Sequence, residues 1–375
     1  MGFRLSRITL REISMALREP FEISSGLTNN RRILLLELED VDGATAWSEC
    51  VAGEQPNYSP ETIDTAWFAI AEWIAPRILG MGISHPETID GLLRRWIRGH
   101  SMARAAVEMG IWALWAIRER KSLSRLLGGT RRTIATGISI GLQPTPQALV
   151  QKARNALAQG YRRVKIKIKP GADIEYIGAV RDALGTKAPL MADANGAYTL
   201  NDADHLADLD PFRLLMIEQP LAQDDLRRHA ELQDRIDTPI CLDESITHLG
   251  AVEDMLALRA AQIVNIKAAR VGGLAQAKAI HDMCQHNAIP VWCGGMLESG
   301  IGRAYNVALA SLNNFNLPGD VSPSNRYWQK DIVTPEWSMD LTGHVSVPIT
   351  TPGIGVQVDS DRVENLTSRK VTLSA

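Results

Sequence analysis

Five ionisable residues recur through the middle of the chain at an almost constant interval. Lys167, Asp193, Glu218, Asp243 and Lys267 are separated by 26, 25, 25 and 24 residues, and each closes a short apolar run of strand character. Three carboxylates delivered to one small volume repel one another and call for a cation. All-oxygen ligation without His or Cys suits a hard ion, and three carboxylates that leave room for water and substrate oxygens suit Mg²⁺ or Mn²⁺ over calcium or zinc. The flanking lysines supply the bases. A substrate carboxylate held on the ion presents one face of its α-carbon to each lysine, and the dication stabilises the enediolate formed when the α-proton leaves.

The elements that deliver these groups are repeated βα units. Beyond about residue 131, β-rich runs alternate with longer amphipathic helical runs, as expected of a parallel α/β sheet. Candidate strands cover 134–140, 163–168, 189–193, 214–218, 239–243, 263–267 and 290–293, with 315–317 as a shorter eighth. Stepping the period back from Lys167 lands near Ser139; stepping forward from Lys267 lands on Cys293-Gly294 and then near Asp320. The series covers eight positions, one barrel whose strand ends share a mouth. Lys167 on the second strand and Lys267 on the sixth then face each other across it.

A lysine acts as a base only when its pKa of about 10.4 is brought toward neutrality. Lys165 shares the inward parity of Lys167, and Arg270 follows Lys267 by three residues. These neighbouring cations are expected to depress the two bases. Asn195 either orients the ligands of the ion or makes a turn, and Glu244, next to Asp243, either points elsewhere or sits behind the ligands.

Residues 1–130 read as a separate α+β unit. Strands are expected over 3–17 and 31–49, the second folding back at Asp42-Gly43, with loops at 19–26 and 53–58 placed to act as lids. Helical patterns at about 60–79, 86–98 and 101–119 carry Trp67, Trp73, Trp96, Trp112 and Trp115, which read as buried helix faces. Gly128-Gly129 marks the exit into the barrel.

Forty Lys and Arg against 43 Asp and Glu, a net charge of -3 and 45% hydrophobic residues describe an ordinary globular protein and advertise neither nucleic acid nor membrane. The first twenty residues are punctuated by arginines, which excludes a signal-peptide apolar region and predicts an unexported, cytoplasmic protein. Cys50, Cys241, Cys284 and Cys293 lie far apart without a Cys-x-x-Cys pair, fitting buried thiols rather than a disulfide framework or zinc site. No phosphate-binding loop, His-Glu-x-x-His or Gly-x-Ser-x-Gly is present. Gly272-Gly273, opening a helix after the sixth strand, suits either an anion or close packing.

Lys165-Ile166-Lys167, Met191-Ala192-Asp193-Ala194-Asn195, Ile217-Glu218-Gln219-Pro220, Cys241-Leu242-Asp243-Glu244-Ser245 and Asn265-Ile266-Lys267 together resemble the enolase superfamily, muconate-lactonizing subgroup. The stretch from Trp292 to Arg303 and Leu317-Pro318-Gly319-Asp320 are similar to the branch of o-succinylbenzoate synthases that also racemise N-acylamino acids. The resemblance implies a (β/α)7β barrel, a modified TIM barrel, over residues 131–324. It implies a capping domain made of the N-terminal unit and a returning segment, 325–375. It further implies Mg²⁺ on Asp193, Glu218 and Asp243, Lys167 and Lys267 as acid–base residues, and a small carboxylate substrate under the loops near 20 and 55. Ser139, Gly295, Met296 and Tyr327 match substrate-proximal positions, and Arg270 resembles an arginine of the racemising branch, although Ala268-Ala269 replaces the usual Pro-Gly before it. A homo-oligomer such as an octamer is implied as well. A dipeptide epimerase or muconate cycloisomerase would use the same metal and lysines, and a barrel kept only for binding is the non-catalytic alternative.

Overall fold

The computed structural model describes residues 2–23 and 26–375. Strands β1 (Phe3–Ile23), β2 (Gly26–Asp40) and β3 (Thr45–Cys50) form an antiparallel sheet. The Asp42-Gly43 turn is present: Gly43 has φ +83°, and the Asp40 carboxylate accepts from the Asp42 and Ala44 amides at 2.9 Å. The sheet packs on helix α1 (Ser101–Arg118), where Gly110 is required because a Cβ there would lie 2.5 Å from Leu38.

Two expectations for this unit change. The stretch 19–26 is mostly strand: after a register shift beyond Ala16, Phe21 pairs with Thr28, Glu22 with Leu27 and Ile23 with Gly26. Ser24 and Ser25 lie outside the described residues. Backbone ladder bonds do not depend on side-chain polarity, so the polar Glu19-Pro20 approach does not prevent residues 21–23 from pairing. Trp73 is 38% exposed rather than core. Its helix passes through a π-helical turn, Ala69–Ile74, which shifts the phase of the buried face. Trp67, Trp112 and Trp115 are buried as expected, and Trp96 packs partly buried against the core.

The second unit is a curled parallel sheet of seven strands in consecutive order: β4 (Ile138–Ile140), β5 (Val164–Lys167), β6 (Leu190–Asp193), β7 (Ile217–Glu218), β8 (Ile240–Leu242), β9 (Ile263–Ile266) and β10 (Val291–Cys293). The expected 134–140 strand is divided. Thr133–Ala135 pairs with His344–Ser346 outside the sheet, and the break falls at Gly137, where a Cβ would meet the buried Arg163 at 2.8 Å. The segment 315–320 spans the gap between the sheet edges, bridging Val291 to Phe315 and Thr136 to Gly319, which completes a (β/α)7β barrel. Met191, Met216, Cys241, Ile263 and Trp292 fill its interior as a separate apolar plug. All four cysteines are free and buried. Strand β11 (Thr367–Ser374) returns to the first sheet and pairs antiparallel with β1. Among the described residues no helix is long and apolar enough to cross a membrane.

Buried carboxylates join the two units. Glu49, on β3, accepts from the amides of Ser299 and Gly302 at the start of the helix Gly300–Ala310. Glu108, on α1, accepts from the amides of Leu274 and Ala275 at 2.8 and 2.9 Å, and from Trp112 Nε1 at 2.8 Å. Gly272-Gly273 is therefore a packing site whose anion is the protein's own, since a Cβ on Gly273 would lie 2.4 Å from the Glu108 carboxylate. Burial pushes the Glu108 carboxyl up while its three N–H donors pull it back. Glu108→Ala strands those donors in the interior and is expected to destabilise the fold by about 2–4 kcal/mol, read as a lowered denaturation midpoint. An unchanged midpoint would show that water replaces the carboxylate.

Candidate active site

Parallel pairing brings the polar strand ends to one level: Lys167 is in register with Asp193, Asp193 with Glu218, and Glu218 with Cys241, two residues before Asp243. Alternation turns Val164, Ile166 and Ile168 into the outer core, and Lys165 and Lys167 inward. Lys165, Lys167, Lys267 and the three carboxylates are all less than a tenth exposed.

Each carboxylate is ion-paired. Lys167 Nζ lies 2.6 Å from Asp193 and 2.6 Å from the Asn195 side-chain oxygen. Lys165 Nζ reaches Asp193 at 3.2 Å, Glu218 at 3.1 Å and Asp320 at 2.6 Å. Lys267 Nζ lies 2.8 Å from Asp243 and donates to the Tyr58 hydroxyl at 2.9 Å, and that hydroxyl donates to Asp243 at 3.2 Å. Arg270 pairs with the same Asp243 and donates to the carbonyls of Ile246 and Asn265. Asn265 donates to Glu218 at 2.7 Å. Asn195 has φ +45°, and its side-chain amide bridges Lys167 to Glu244.

The charges are unequal in their effects. Burial, then the neighbouring Asp193 and Asp243, hold the Glu218 carboxyl well above its ordinary range. Asp193 and Asp243 are buried too, but their lysines overcome that and hold them low. Burial works to lower Lys267, yet Asp243 outweighs it and holds the ammonium above its ordinary value. Arg270 does act to lower Lys267 as expected, but the Asp243 carboxylate between the two cations outweighs it and the net shift is upward.

The donor chemistry fits a hard divalent ion. Three oxygen-only side chains stand at adjacent strand ends, the donor set that a hard divalent ion takes. Among the described residues no three acidic, His or Cys side chains converge as a metal cage, and the ammonium groups sit on the carboxylate oxygens.

Above the lysines lies a cavity of about 530 Å³, and Ser139, Asn195, Gly295, Met296 and Tyr327 are among the residues that line it. Ser139 Oγ is buried there without a hydrogen-bond partner. The hairpin around Phe21 and Leu27 and the loop Gly53 to Ser59 form the outer wall, on the side where lids were expected. Arg270 does not reach this cavity; it lies behind Asp243. Tyr58 and Asp320 went unidentified as site residues. Asp320 had a signal, since it falls on the eighth step of the period, and it also pairs with the buried Arg163. Tyr58, in an irregular loop, had none.

Two family models cover most of the chain: Mandelate racemase / muconate lactonizing enzyme, N-terminal domain, over residues 6–128, and Enolase C-terminal domain-like, over residues 148–362. An o-succinylbenzoate synthase of Geobacillus stearothermophilus is 47% identical over 98% of this chain and 97% of its own. An N-succinylamino acid racemase of Amycolatopsis sp is 43% identical over 99% of this chain and all of its own. The crystal structure of an enolase-superfamily member from Listeria innocua Clip11262 superposes with a TM-score of 0.95 at 39% identity, covering both chains completely. Enzymes of this kind abstract a proton α to a carboxylate with the help of a divalent metal. With strand-end acids and lysines in place and both domain models matched, the chain belongs to the enolase superfamily.

Proposed function

We propose that the chain is a Mg²⁺-dependent o-succinylbenzoate synthase that also racemises N-succinylamino acids and other N-acylamino acids. The observation that carries this reading is the pair Lys167 and Lys267: they end strands four apart in the barrel and line one cavity above three buried carboxylates. The two names borne by its relatives describe two outcomes of one intermediate.

Asp193, Glu218 and Asp243 would hold Mg²⁺, with Mn²⁺ as a substitute, and the bound ion supplies the positive charge that stabilises an enediolate. In dehydration Lys167 Nζ takes the α-proton of a succinyl-hydroxycyclohexadiene carboxylate. It then returns that proton to the departing hydroxyl on the same face; the C–O bond breaks, water leaves and the ring becomes aromatic. Lys267 stays an ammonium and stabilises the enediolate. In racemisation one lysine removes the α-proton of an N-acylamino acid and the other, already protonated, delivers its own to the opposite face. Arg270 tunes the second lysine by competition, since Asp243 divides its acceptor capacity between Arg270 and Lys267.

A dipeptide epimerase typically needs a second acid on the eighth strand to hold the substrate ammonium. Here Asp320 is engaged by Lys165 and Arg163, and Ser322 stands at the second place with its hydroxyl on the Gly137 carbonyl. That geometry favours an N-acylated substrate.

The deciding assay is steady-state dehydration with added Mg²⁺, for which kcat/KM on the order of 10⁴ M⁻¹s⁻¹ or more is expected. Deuterium exchange into dipeptides but not into N-succinylamino acids would overturn the reading. Lys167→Ala is expected to abolish both reactions, a loss of about 10³-fold or more; retained dehydration would refute its role as base. Lys267→Ala is expected to abolish racemisation and only weaken dehydration. Tyr58→Phe removes the hydroxyl shared by Lys267 and Asp243, and should slow racemisation by roughly tenfold while dehydration changes less; comparing the two kcat values checks this.

A further inference from the structure

Lys165 is held by carboxylates of two kinds. It reaches Asp193 at 3.2 Å and Glu218 at 3.1 Å, two of the acids assigned to the ion, and Asp320 at 2.6 Å, which is not one of them. The two kinds stand on opposite sides of it. Asp193 and Glu218 end β6 and β7, to one side of β5, whereas Asp320 ends the segment that bridges to Thr136 beyond β4 on the other. Asp320 is fixed in place: it is buried, and its second oxygen pairs with the fully buried Arg163, whose guanidinium carbon lies 4.2 Å from the centre of the Trp292 ring. Lys165 Nζ lies 4.9 Å from the same ring, and Lys267 adds to the positive field on Asp320. An ammonium and a dication compete for the same carboxylate oxygens. A dication on Asp193 and Glu218 must displace Lys165, and a buried ammonium left without an anion is costly.

We propose that Asp320 is the positioning residue that draws Lys165 off Asp193 and Glu218 when Mg²⁺ takes those carboxylates, and so sets the affinity of the site for the ion from outside the ligand set. This rests on the metal assignment in the function proposed above. Asp320 already makes the shortest of the three contacts, so Lys165 keeps a full-charge partner while it gives up the other two. Arg163 holds the carboxylate from its far side, which keeps Asp320 in reach of Lys165 rather than of the ion. Without Asp320, the only carboxylates left to Lys165 are the two that the ion needs, and the ammonium becomes a standing competitor.

The test is a double-mutant cycle read by Mg²⁺ affinity, with no substrate present. The full chain, stripped with a chelator, is titrated calorimetrically with MgCl₂ at one pH. Asp320→Asn is expected to weaken Mg²⁺ binding by about 10–100-fold, the range for groups that act on a metal from behind its ligands. Made in a Lys165→Met background, the same substitution should change the affinity by less than about threefold, because no ammonium remains to be placed. Wild-type affinity in Asp320→Asn overturns the proposal. So does an equal loss in both backgrounds, which would make Asp320 act on the ion directly or through the fold. Should Asp320→Asn fail to fold, crystal structures of the wild-type protein with and without Mg²⁺ decide: Lys165 Nζ leaving Asp193 and Glu218 while keeping Asp320 supports the proposal, and Lys165 staying on either ligand or leaving Asp320 refutes it. A wild-type protein that binds no Mg²⁺ would overturn the metal assignment and this proposal with it, whereas Mg²⁺ binding indifferent to Asp320 leaves the proposed function standing.

Discussion

The enclosure of three acidic side chains at adjacent strand ends is the constraint on which the rest of the site depends. Parallel register places Asp193, Glu218 and Asp243 side by side, and the apolar plug beneath them removes the water that would otherwise screen their repulsion. Only cations make that arrangement tolerable. The chain provides Lys165, Lys167, Lys267 and Arg270, and Glu218 still lies above its ordinary range. Of the groups that neutralise the carboxylates, Lys165, Lys167 and Lys267 also line the cavity above them.

The capping domain contributes to this site in two ways. Through Tyr58 and the hairpin it walls the cavity. Through Glu49 it fixes the start of the helix that follows the Gly295–Met296 loop, and through Glu108 the start of the helix that follows Lys267 and Arg270. Both carboxylates point at helix N-termini, where exposed amides and the helix dipole favour negative charge. The loops carrying Lys267, Gly295 and Met296 are therefore held by contacts made across the domain boundary, so stability of the interface and geometry of the site are not independent.

The ionic layer was legible because strand alternation and a constant repeat are properties of the backbone. A spacing near 25 residues is enough to predict that Lys167 and Lys267 oppose one another, and parity alone turns Lys165 inward. What escaped depends on tertiary contact. The break at Gly137 follows from the space needed by Arg163, the exposure of Trp73 from a π-helical turn, and the pairing of residues 21–23 from a hairpin whose polar side chains hid its ladder. The sign of the Lys267 shift turned on Asp243 lying between two cations, a distance relation that no spacing conveys. Tyr58 and Arg31 come from the capping domain and enter the site only when the two units pack.

That division also locates where specificity must reside. In the function proposed above, Lys167 and Lys267 belong to the barrel and serve any reaction that passes through an enediolate, so they cannot tell a cyclohexadiene from an N-acylamino acid. Discrimination needs contacts that differ between substrates, and those available here lie above the lysines. Ser139 presents an unpartnered hydroxyl from the barrel, while Arg31, Phe21 and Tyr58 come from the capping domain. A succinyl chain is the feature that the dehydration substrate and an N-succinylamino acid share. In the function proposed above the two reactions share one cavity, the lysines acting on the α-carbon while the cavity wall is left to discriminate between substrates.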